Sequence, residues 1–447
     1  MIPIVIICYN NYKYVENTIN QIIKINPSLR NDVIIMNNNS TDINTINYLS
    51  QTDIKIVNRN NEGPWINDYY NRDFYYALPQ KFVLTDPDLE FNENLPSNFI
   101  DILSELSDKY GCYKIGFALD RSDKDKMWIC CDGEDIYWEN KVSNSDYEMY
   151  YADIDTTFCL VNKHNGGPII RMAGNFTAKH IPWYKENKII NIYEQYKVYK
   201  DAKFSSIKQE FLNFVDKDYC LIKKREEEIF IKNNISDINL NFWKNNYSYW
   251  DENTINVLDK YLKKDKIFID IGGWIGTTCI YGSRKSKHVY VVEADKESLI
   301  DLSENCKNNS DNVTIIDKAI YNINDIDINF GKNIFSESSS LNDSTSHIHE
   351  IKNDSSYLCR TITINKLIED YNINIKDISL IKVDIEGGEE NILEDLYNFH
   401  KNYNVPIYIS FHLWWWKDHN IKRFSFLNEF QINYISQYPF ESLLFGD

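Results

Sequence analysis

The stretch IFIDIGGWIGTT, residues 267–278, decides the fold of the second half of the chain. Its opening run, 267–271, is almost entirely apolar, which is typical of a short strand buried on both faces of a parallel sheet. Gly272, Gly273 and Gly276 follow at once. They permit a sharp turn and a close approach of the backbone to a ligand, before a helix that begins with free N–H groups. The stretch therefore predicts a strand, a nucleotide-binding loop and a helix.

The glycine spacing distinguishes between two classes of nucleotide cofactor. A dinucleotide fingerprint starting at Gly272 requires glycine at position 274 and glycine or alanine at position 277. The chain has Trp274 and Thr277 there. The pattern that it does have, Asp-x-Gly-x-x-x-Gly from Asp270 to Gly276, is the form of an S-adenosylmethionine loop, in which no pyrophosphate is bound. We therefore expect S-adenosylmethionine rather than a dinucleotide.

A carboxylate at the end of the next predicted strand supports this interpretation. The strand 289–293 ends in Glu293, 17 residues beyond Gly276. A carboxylate at the end of the second strand is well placed to accept hydrogen bonds from both ribose hydroxyls of a nucleoside. As an isolated surface acid Glu293 would mean little, but behind the glycine loop it predicts a cofactor contact.

Strands and helices alternate throughout the second half. The predicted strands are 267–271, 289–293, 313–316, 380–384 and 407–411. This alternation favours a parallel sheet that is covered by helices on both faces. The predicted class of this half is α/β, with a Rossmann-like sheet.

Several motifs occur in order at the ends of these strands. They are IFIDIGGWIGTT, Val-Glu-Ala-Asp at 292–295, Asp-Lys-Ala-Ile at 317–320 and Ile-Lys-Val-Asp-Ile-Glu-Gly-Gly-Glu at 381–389. Over residues 250–447 they resemble the FkbM-type class I methyltransferases, which use S-adenosylmethionine and often methylate sugar or polyketide hydroxyls. The residues that the resemblance and the loop pattern assign to cofactor binding are Asp270, Gly272, Gly273, Gly276, Glu293, Ala294 and Asp317. Trp274 departs from the family, which usually has asparagine there, and His412 follows Phe where a carboxylate often precedes it.

Methyl transfer to a hydroxyl group needs a residue that removes the hydroxyl proton. Asp384, Glu386, Glu389 and His412 are the titratable groups that the predicted fold brings to one rim of the sheet. We predict Asp384, Glu386 and His412 as catalytic; the alternative is that these groups are helix caps and sheet-end salt bridges. The carboxylates could also bind Mg²⁺ or orient one another. The adjacent triplet 414–416, three tryptophans, either stacks on a sugar or packs into the domain.

The first half shows the same alternation, with polar residues at one edge of the predicted sheet. Its predicted strands are 2–8, 33–36, 54–57 and 81–85. The polar loop 37–42 and the motif Asp86-Pro87-Asp88 each follow a strand, at the end where open α/β sheets bind their ligands. This half is predicted to be a βαβ nucleotide-binding domain.

Asp86-Pro87-Asp88 has two interpretations. Asp-Pro commonly begins a turn. Two carboxylates that flank one residue can instead bind a hard divalent cation, which neutralises a nucleoside diphosphate leaving group. Together with Cys-Tyr-Asn-Asn at 8–11, the loop 38–42 and Asn-Glu-Gly-Pro-Trp at 61–65, the motif resembles a family 2-like glycosyltransferase of the GT-A fold. The resemblance covers residues 1 to about 190.

This second resemblance implies the roles of five residues. Asp42 would contact the nucleotide of the donor, which we expect to be a UDP-linked sugar. Asp86 and Asp88 would bind the metal, Mn²⁺ or Mg²⁺, and His180 would complete its coordination. Asp155 would take the proton of the acceptor hydroxyl. The alternatives are that Asp155 is a helix cap or a solvated carboxylate, and that His180 is an ordinary loop histidine.

Composition excludes several classes of protein. The formal charge is −18, from 66 acidic and 48 basic side chains, which opposes an extended nucleic-acid or anionic-lipid surface. Nine cysteines show no C-x-x-C pair and no zinc spacing, so a reducing cytoplasm is expected, that of a host cell if the protein is viral. No apolar run approaches the ~18 residues of a membrane span.

The chain is predicted to have three parts: a GT-A-like domain at 1–190, a helical or mixed connector at 191–250 and a methyltransferase domain at 251–447. The charged run Lys-Lys-Arg-Glu-Glu-Glu at 223–228 is interpreted as a solvated helix face within the connector.

These observations predict a bifunctional enzyme that transfers a sugar and methylates a sugar hydroxyl on one growing glycan. One alternative is a single-activity sugar O-methyltransferase whose first domain is a non-catalytic glycan-binding module. Another is a nucleic-acid methyltransferase, which the charge opposes and which lacks an Asn/Asp-Pro-Pro-Tyr/Phe signature. The oligomeric state is left open, with a homodimer as one possibility.

Overall fold

Two α/β units follow one another along the chain, Met1–Phe214 and Val215–Asp447. The computed structural model describes residues 2–129, 132–203, 205, 207–234, 237–331, 346–349, 356–416, 424–429 and 441–446. Residues of the predicted connector, 191–250, occur in both units. Each unit is described by itself below.

The first unit is built on one mixed sheet with helices around it. Its elements are β1 Ile4–Cys8, α1 Tyr12–Ile25, β2 Val33–Asn37, α2 Ile43–Gln51, β3 Lys55–Asn58, α3 Arg72–Ala77, β4 Lys81–Thr85, β5 Leu89–Phe91, α4 Phe99–Tyr110, β6 Lys114–Leu119, β7 Met149–Tyr151, β8 Cys159–Asn162, β9 Ile169–His180, α5 Ile192–Asp201 and α6 Lys208–Asp218, the last of which runs across the boundary between the units.

The sheet of the first unit changes from parallel to mixed pairing along its width. The strand order is β3-β2-β1-β4-β8-β6-β9-β5, and β7 also pairs with β9. The strands β3, β2, β1 and β4 are parallel, whereas β8 is antiparallel to β4. Antiparallel pairing of β5 with β9 sets Leu89 opposite His180, which brings that histidine next to Asp88.

Strand β1 explains why the first unit begins with a continuous apolar run. Every residue of β1 is buried. Ile4 and Ile6 belong to the core on one face of the sheet, while Val5 and Ile7 belong to the core on the other face. A central strand covered on both faces has no position for a solvated side chain.

The second unit contains a six-stranded sheet, a hairpin and a smaller sheet. Its elements are β10 Tyr219–Lys224, β11 Glu227–Lys232, α7 Asp237–Asn241, α8 Glu252–Tyr261, β12 Ile267–Ile271, α9 Thr277–Ser283, β13 His288–Glu293, α10 Lys296–Asn309, β14 Val313–Asp317, β15 Ala319–Ile320, β16 Asp327–Gly331, β17 His347–Ile348, β18 Tyr357–Ile362, α11 Ile364–Asp370, β19 Ile378–Val383, α12 Glu389–Tyr403, β20 Ile407–Phe411 and β21 Glu441–Phe445.

The topology of the main sheet in the second unit creates a binding crevice. Its strand order is β14-β13-β12-β19-β20-β21, with β21 antiparallel and the other strands parallel. The chain runs outward from β12 to β14 on one side and returns to β19 and β20 on the other. Open α/β sheets bind ligands at such a switch point, beyond the carboxyl ends of the strands.

The predicted α/β class is confirmed for both units, and the predicted strands of the second sheet lie at their predicted positions to within two residues at each end. The interpretation of 223–228 as a solvated helix face is wrong. This run is the turn of the β10–β11 hairpin, and Lys224 is fully buried. Its ammonium donates to the carbonyl oxygens of Ser248 and Trp250, at 3.2 and 2.7 Å, and to Glu252 at 2.5 Å.

Among the described residues, no helix has the length and apolar character needed to cross a lipid bilayer.

Candidate active sites

A cavity of about 710 Å³ lies at the carboxyl ends of the parallel strands in the first unit. We call it the first cavity. Its lining includes Tyr9, Asn11, Asn38 and Gly63 from the loops after β1, β2 and β3, and Tyr199 from α5. Asp86, Asp88, Asp155 and His180, all predicted from sequence, also line it.

The floor of the first cavity carries two carboxylates and an imidazole. Asp86 accepts a hydrogen bond from the Thr156 hydroxyl at 2.6 Å, and His180 Nε2 lies 3.5 Å from Asp88 Oδ1. Burial raises the pKa of both carboxyls, and the charge of Asp88 raises that of Asp86 further. Burial lowers the pKa of His180 to about 4, so its ring is neutral at neutral pH.

Asp155 lies at the exposed side of the first cavity and is held by an indole. The Trp65 N–H donates to Asp155 Oδ1 at 2.6 Å, and the Lys114 ammonium donates to the Asp155 backbone oxygen at 3.2 Å. The carboxylate is therefore oriented by its neighbours but remains accessible, which suits a residue that receives a proton from an entering ligand.

Asp42 is placed away from the lining of the first cavity. Its carboxylate caps α2 by accepting from the backbone N–H of Thr45 at 2.8 Å and from the Thr45 hydroxyl at 3.0 Å. The loop contributes Asn38 to the cavity instead. A capping role is common for aspartate before a helix, and the sequence pattern Asp-x-x-Thr was the signal for it.

A buried arginine in the first cavity was missed by the sequence analysis. Arg171 on β9 is 5% exposed and lines the cavity. Its guanidinium donates to the Asp153 backbone oxygen at 2.6 Å and to Glu134 at 2.7 Å, and it lies 4.0 Å from the Tyr137 ring centroid. The sequence signal was weak, because Arg171 lies within an otherwise apolar strand and its partners are distant in the chain.

A second cavity, of about 640 Å³, occupies the switch point of the second unit. Its lining draws on the ends of β12, β13, β19 and β20, and on the segment that precedes α8. Among the residues predicted to bind the cofactor, Gly272, Glu293 and Ala294 line it. Asp384, Glu386 and His412, predicted as catalytic, line it as well.

The loop after β12 is anchored from below by a buried lysine. Lys382 on β19 is 2% exposed, donates to the Gly272 carbonyl at 2.9 Å and lies 3.1 Å from Asp270 Oδ1. Asp270 is completely buried and also accepts from the Thr278 hydroxyl at 2.5 Å. A Cβ at Gly272 would lie 1.7 Å from the Asp384 carbonyl oxygen, so the loop packs directly on the end of β19.

Four residues predicted to bind the cofactor lie outside the lining of the second cavity. Asp270 is beneath the loop, in contact with Lys382, and therefore anchors the loop. Gly273 packs on Val291 and Gly276 on Ile280, so both glycines serve close packing. Asp317 is exposed at the end of β14, and its neighbour Lys318 lines the cavity instead.

Backbone N–H groups hold the Glu293 carboxylate. One of them belongs to Trp274, whose backbone conformation is unusual. Glu293 Oε2 accepts from the Trp274 N–H at 2.7 Å, while Oε1 accepts from the N–H groups of Ala294 and Asp295 at 2.8 and 2.7 Å. Trp274 has a φ of 46°, which is rare for a residue with a large side chain. Burial raises the pKa of Glu293 to about 7.

The acidic groups at the ends of β19 and β20 surround a histidine. His412 Nδ1 lies 2.8 Å from Glu389 Oε1, and its Nε2 lies 3.4 Å from Asp384 Oδ1 and 3.5 Å from Glu386 Oε1. Burial opposes a charge on His412, but the hydrogen bond to Glu389 and the three nearby carboxylates raise its pKa to about 9. The protonated His412 ring therefore lies within reach of all three carboxylates.

Glu386 is an acid of this group whose ionisation is strongly affected by burial. Burial raises its pKa to about 7, against the opposing effect of the His412 charge. Its backbone φ is 49°, and its carboxylate accepts from the Trp415 indole N–H at 3.2 Å. A positive φ at a glutamate beside a cavity is an uncommon conformation of the kind that occurs at functional sites.

The tryptophan triplet supports the packing alternative at Trp416. Trp416 is 1% exposed and lies in the hydrophobic core of the second unit, where its N–H points to Glu389 at 3.2 Å. Trp415 holds Glu386, as described above. The side chain of Trp414 lies outside the described residues.

The two cavities define a transferase with two separate candidate active sites, one of them over paired aspartates and the other at a Rossmann-like switch point. Residues 4–129 match the family described as glycosyl transferase family 2, and residues 270–436 match the family described as methyltransferase FkbM domain. The chain thus joins a family 2 glycosyltransferase domain to an FkbM methyltransferase domain, which confirms both resemblances.

Comparison with solved structures found partial matches to both halves. They include an FkbM methyltransferase from Methylobacillus flagellatus KT, with 18% identity over 33% of this chain and 33% of that chain and a TM-score of 0.21. A glucosyl-3-phosphoglycerate synthase from Mycobacterium tuberculosis, in complex with Mn²⁺ and uridine-diphosphate-glucose, has 20% identity over 28% of this chain and 45% of that chain and a TM-score of 0.20. The match therefore spans a third of the first protein and less than half of the second. The comparison with curated proteins found no match.

Proposed function

We propose that the chain is a bifunctional glycan-modifying enzyme. Its first unit transfers a sugar from a nucleotide sugar in a metal-dependent reaction, and its second unit uses S-adenosylmethionine to methylate a sugar hydroxyl. The observation that carries the proposal is the second cavity, where a ribose-binding carboxylate, Glu293, and a proton acceptor, Glu386, line one space of about 640 Å³.

The residues at the floor of the first cavity fit a divalent metal ion. Asp88 Oδ1 and His180 Nδ1 are buried, and no hydrogen bond to either was found among the described residues. The carboxylate pair Asp86 and Asp88 offers oxygen donors of the kind that Mn²⁺ and Mg²⁺ bind. Over the described part of the chain no three such groups are close enough to form a complete metal site. A metal held by Asp86 and Asp88 would therefore take further ligands from the donor diphosphate, whose charge it would neutralise.

Asp155 is the proposed proton acceptor of sugar transfer. Its Oδ1 is fixed by Trp65, and the rest of the carboxylate faces the exposed side of the cavity. An acceptor hydroxyl that enters there gives its proton to Asp155 while its oxygen attacks the anomeric carbon, and the bond from that carbon to the diphosphate breaks, so that the nucleoside diphosphate leaves.

The second cavity fits a nucleoside cofactor at the end formed by β12 and β13. Glu293 Oε1 already accepts two backbone N–H groups, whereas Oε2 accepts one and keeps a lone pair for a ribose hydroxyl. Gly272 and Ala294 leave space beside it. When bound there, S-adenosylmethionine supplies a methyl group on a sulfonium, which is electrophilic without further activation.

The chain's own residues then handle the acceptor and its proton. Glu386 is ionised in about half of the molecules near pH 7, because its pKa is about 7, and it accepts the hydroxyl proton. His412 holds Glu386 and Asp384 in place and remains a cation, because its own pKa is about 9. Alignment of the hydroxyl oxygen with the methyl group provides most of the remaining rate enhancement.

Calorimetry tests the methyltransferase half. The full chain is expected to bind S-adenosylmethionine, and Glu293→Ala should weaken that binding. Glu394→Ala, which changes an exposed glutamate on α12, is the matched control and should bind normally. Absence of binding by the wild type, or equal binding by Glu293→Ala, would refute the cofactor assignment.

Hydrolysis and transfer of UDP-sugars test the glycosyltransferase half. Activity should require added Mn²⁺ or Mg²⁺ and should be lost in the Asp86→Ala, Asp88→Ala double variant, but not in Asp53→Ala, which changes a surface carboxylate paired with Arg30. Methylation without any turnover of a panel of nucleotide sugars would instead favour a single-activity methyltransferase.

A further inference from the structure

The segment 249–253, Tyr-Trp-Asp-Glu-Asn, lies at the second cavity but precedes the stretch that matches the FkbM family. All five of its residues line the cavity, whereas the match begins at residue 270. Helix α8, which begins at Glu252, packs against β19. The hydroxyls of Thr254 and Tyr408 are 3.4 Å apart, which ties the start of α8 to β20. We call 249–253 the entry segment.

The entry segment lies on the side of the cavity that faces the catalytic groups. Glu293 and the loop after β12 lie at one side of the sheet edge. The strand order β13-β12-β19-β20 places Asp384 and His412 at the other side. The charges of Asp384 and Lys382 both act on the Asp251 carboxyl. The entry segment therefore adjoins Asp384 through Asp251, while its Trp250 packs on Trp274 of the glycine loop.

An aromatic wall runs from the glycine loop to the mouth of the cavity. The ring centroids of Trp250 and Trp274 are 6.2 Å apart, and Phe242 packs behind both at 5.9 and 4.9 Å. Tyr249, next to Trp250, is 83% exposed although it is a large aromatic side chain. Such a side chain at a cavity mouth offers a face to a ligand, because nothing of comparable size in the described part of the unit covers it.

Polar groups accompany this wall. Asp251 lines the cavity with a φ of 45°, and one of its oxygens accepts from the Thr254 N–H at 3.2 Å. Asn253 also lines the cavity, and Ser410 and His412 contribute from β20. A sugar ring has apolar C–H faces and a rim of hydroxyls, so it matches an aromatic face that is flanked by carboxylate, amide and hydroxyl groups.

We infer that the entry segment is the acceptor subsite of the methyltransferase unit: a sugar ring stacks on Tyr249 and Trp250, hydrogen-bonds with Asp251 and Asn253, and presents one hydroxyl to Glu386. This inference rests on the proposed function and adds the residues that select the acceptor.

The test is steady-state methylation by the full chain with radiolabelled S-adenosylmethionine. The probes are the methyl glycosides of glucose, galactose, mannose and rhamnose, with catechol as a phenolic hydroxyl for comparison. The variants are Tyr249→Ala, Tyr249→Phe, Trp250→Ala and Trp250→Phe. Tyr403→Ala, which removes a 50% exposed tyrosine at the end of α12, is the matched control. Calorimetric binding of S-adenosylhomocysteine checks that each variant retains its cofactor site.

Loss of a stacking face should raise KM for the glycoside about 2- to 10-fold in Tyr249→Ala and in Trp250→Ala. The phenylalanine variants, which keep an aromatic face, should raise KM less than the matching alanine variants do. Tyr403→Ala should behave as the wild type, and binding of S-adenosylhomocysteine should be unchanged throughout. Glycoside methylation with an unaltered KM in both alanine variants would overturn the acceptor subsite and leave the proposed function standing. Cofactor binding without methylation of any glycoside, or with methylation of catechol alone, would overturn both the acceptor subsite and the sugar acceptor of the proposed function.

Discussion

Glu389 and His412 form a buried pair, with Glu389 Oε1 2.8 Å from His412 Nδ1 and both side chains almost completely removed from solvent. The same carboxylate accepts from the N–H groups of Ile385 and Gly387, both at 3.3 Å. Glu389 thereby joins the turn that carries Glu386 to the histidine that faces it. The contact with Glu389 fixes both the position and the positive charge of His412, which faces the proposed base Glu386.

Glu389→Gln is expected to remove the charge while keeping an oxygen that accepts from His412. The pKa of His412, now about 9, should then fall, because the hydrogen bond to an ionised partner and its charge both raise it. The alkaline limb of the methyl-transfer rate should move to lower pH, and kcat should fall by about 10-fold, in keeping with ~1–3 kcal/mol for a weakened buried contact. A pH–rate profile measures both effects. Glu394→Gln on the exposed side of α12 should change neither, and an unshifted alkaline limb in Glu389→Gln would contradict the coupling.

Methyl transfer should rise with pH through about 7 and fall above about 9. The rise follows from Glu386, which must lose its proton before it can act as a base and whose pKa is about 7. The fall follows from His412, which carries its positive charge only below its pKa of about 9. Glu386→Gln should lower kcat by about 10²- to 10⁴-fold and remove the acid limb, while binding of S-adenosylhomocysteine is retained. A variant that keeps the acid limb would show that another group is the base.

Cofactor binding should tighten as pH rises. Burial raises the pKa of Glu293 to about 7, and in the neutral acid the proton occupies the lone pair that a ribose hydroxyl would use. Between pH 6 and pH 8 the ionised fraction rises from about a tenth to nearly all, so the Kd of S-adenosylhomocysteine should fall by about 10-fold. Calorimetry in two buffers of different ionisation heat should detect a proton released on binding at pH 6. Glu293→Gln should bind more weakly at every pH and lose this dependence; a dependence that survives the substitution would place the titrating group elsewhere.

Trp65→Phe tests the orientation of Asp155 in the first unit. The change removes an indole N–H that donates to Asp155 Oδ1 at 2.6 Å but retains an aromatic ring beside Tyr70. A positioning role predicts that kcat for sugar transfer falls by about 10- to 150-fold, as expected for one hydrogen bond to a charged group. KM for the nucleotide sugar should stay constant. If KM rises and kcat does not change, Trp65 binds the donor instead.

The strands that the sequence predicted correctly are short apolar runs that end in a polar or glycine-rich turn, and β12, β19 and β20 show this directly. The residues that gather at the second cavity were also predictable, because the carboxyl ends of parallel strands meet at one edge. Family resemblance added the nature of both sites.

What the sequence could not provide was the direction in which a side chain points. Asp270 and Glu293 both end apolar strands, yet Asp270 points beneath the loop to Lys382 and Glu293 lines the cavity. The Asp42 carboxylate similarly points to the start of α2, where it caps the helix. Lys224 was misread because a charged run normally faces solvent, and its buried partners follow 24 to 28 residues later in the chain.

Lys382 should be the most sensitive single position for the stability of the second unit. Its ammonium is 2% exposed and lies between Asp270 and Asp384, 3.1 and 3.7 Å from their oxygens, and these charges hold its pKa above the usual value despite burial. Lys382→Met would leave the buried Asp270 carboxylate uncompensated, at a cost of roughly 3–5 kcal/mol.

Thermal unfolding of the full chain measures this effect. The transition that belongs to the second unit is identified as the one whose midpoint rises when S-adenosylhomocysteine is added. A unit of this size loses about 2–4 °C per kcal/mol, so that transition should move down by about 6–20 °C. Lys366→Met is the matched control, because Lys366 on α11 pairs with Glu369 and Asp370 at the surface, and such pairs are worth about 0–1 kcal/mol. Adding Asp270→Asn to Lys382→Met should restore part of the loss, since the uncompensated charge is then removed. Equal transitions for Lys382→Met and Lys366→Met would mean that the buried ion pair does not stabilise the loop.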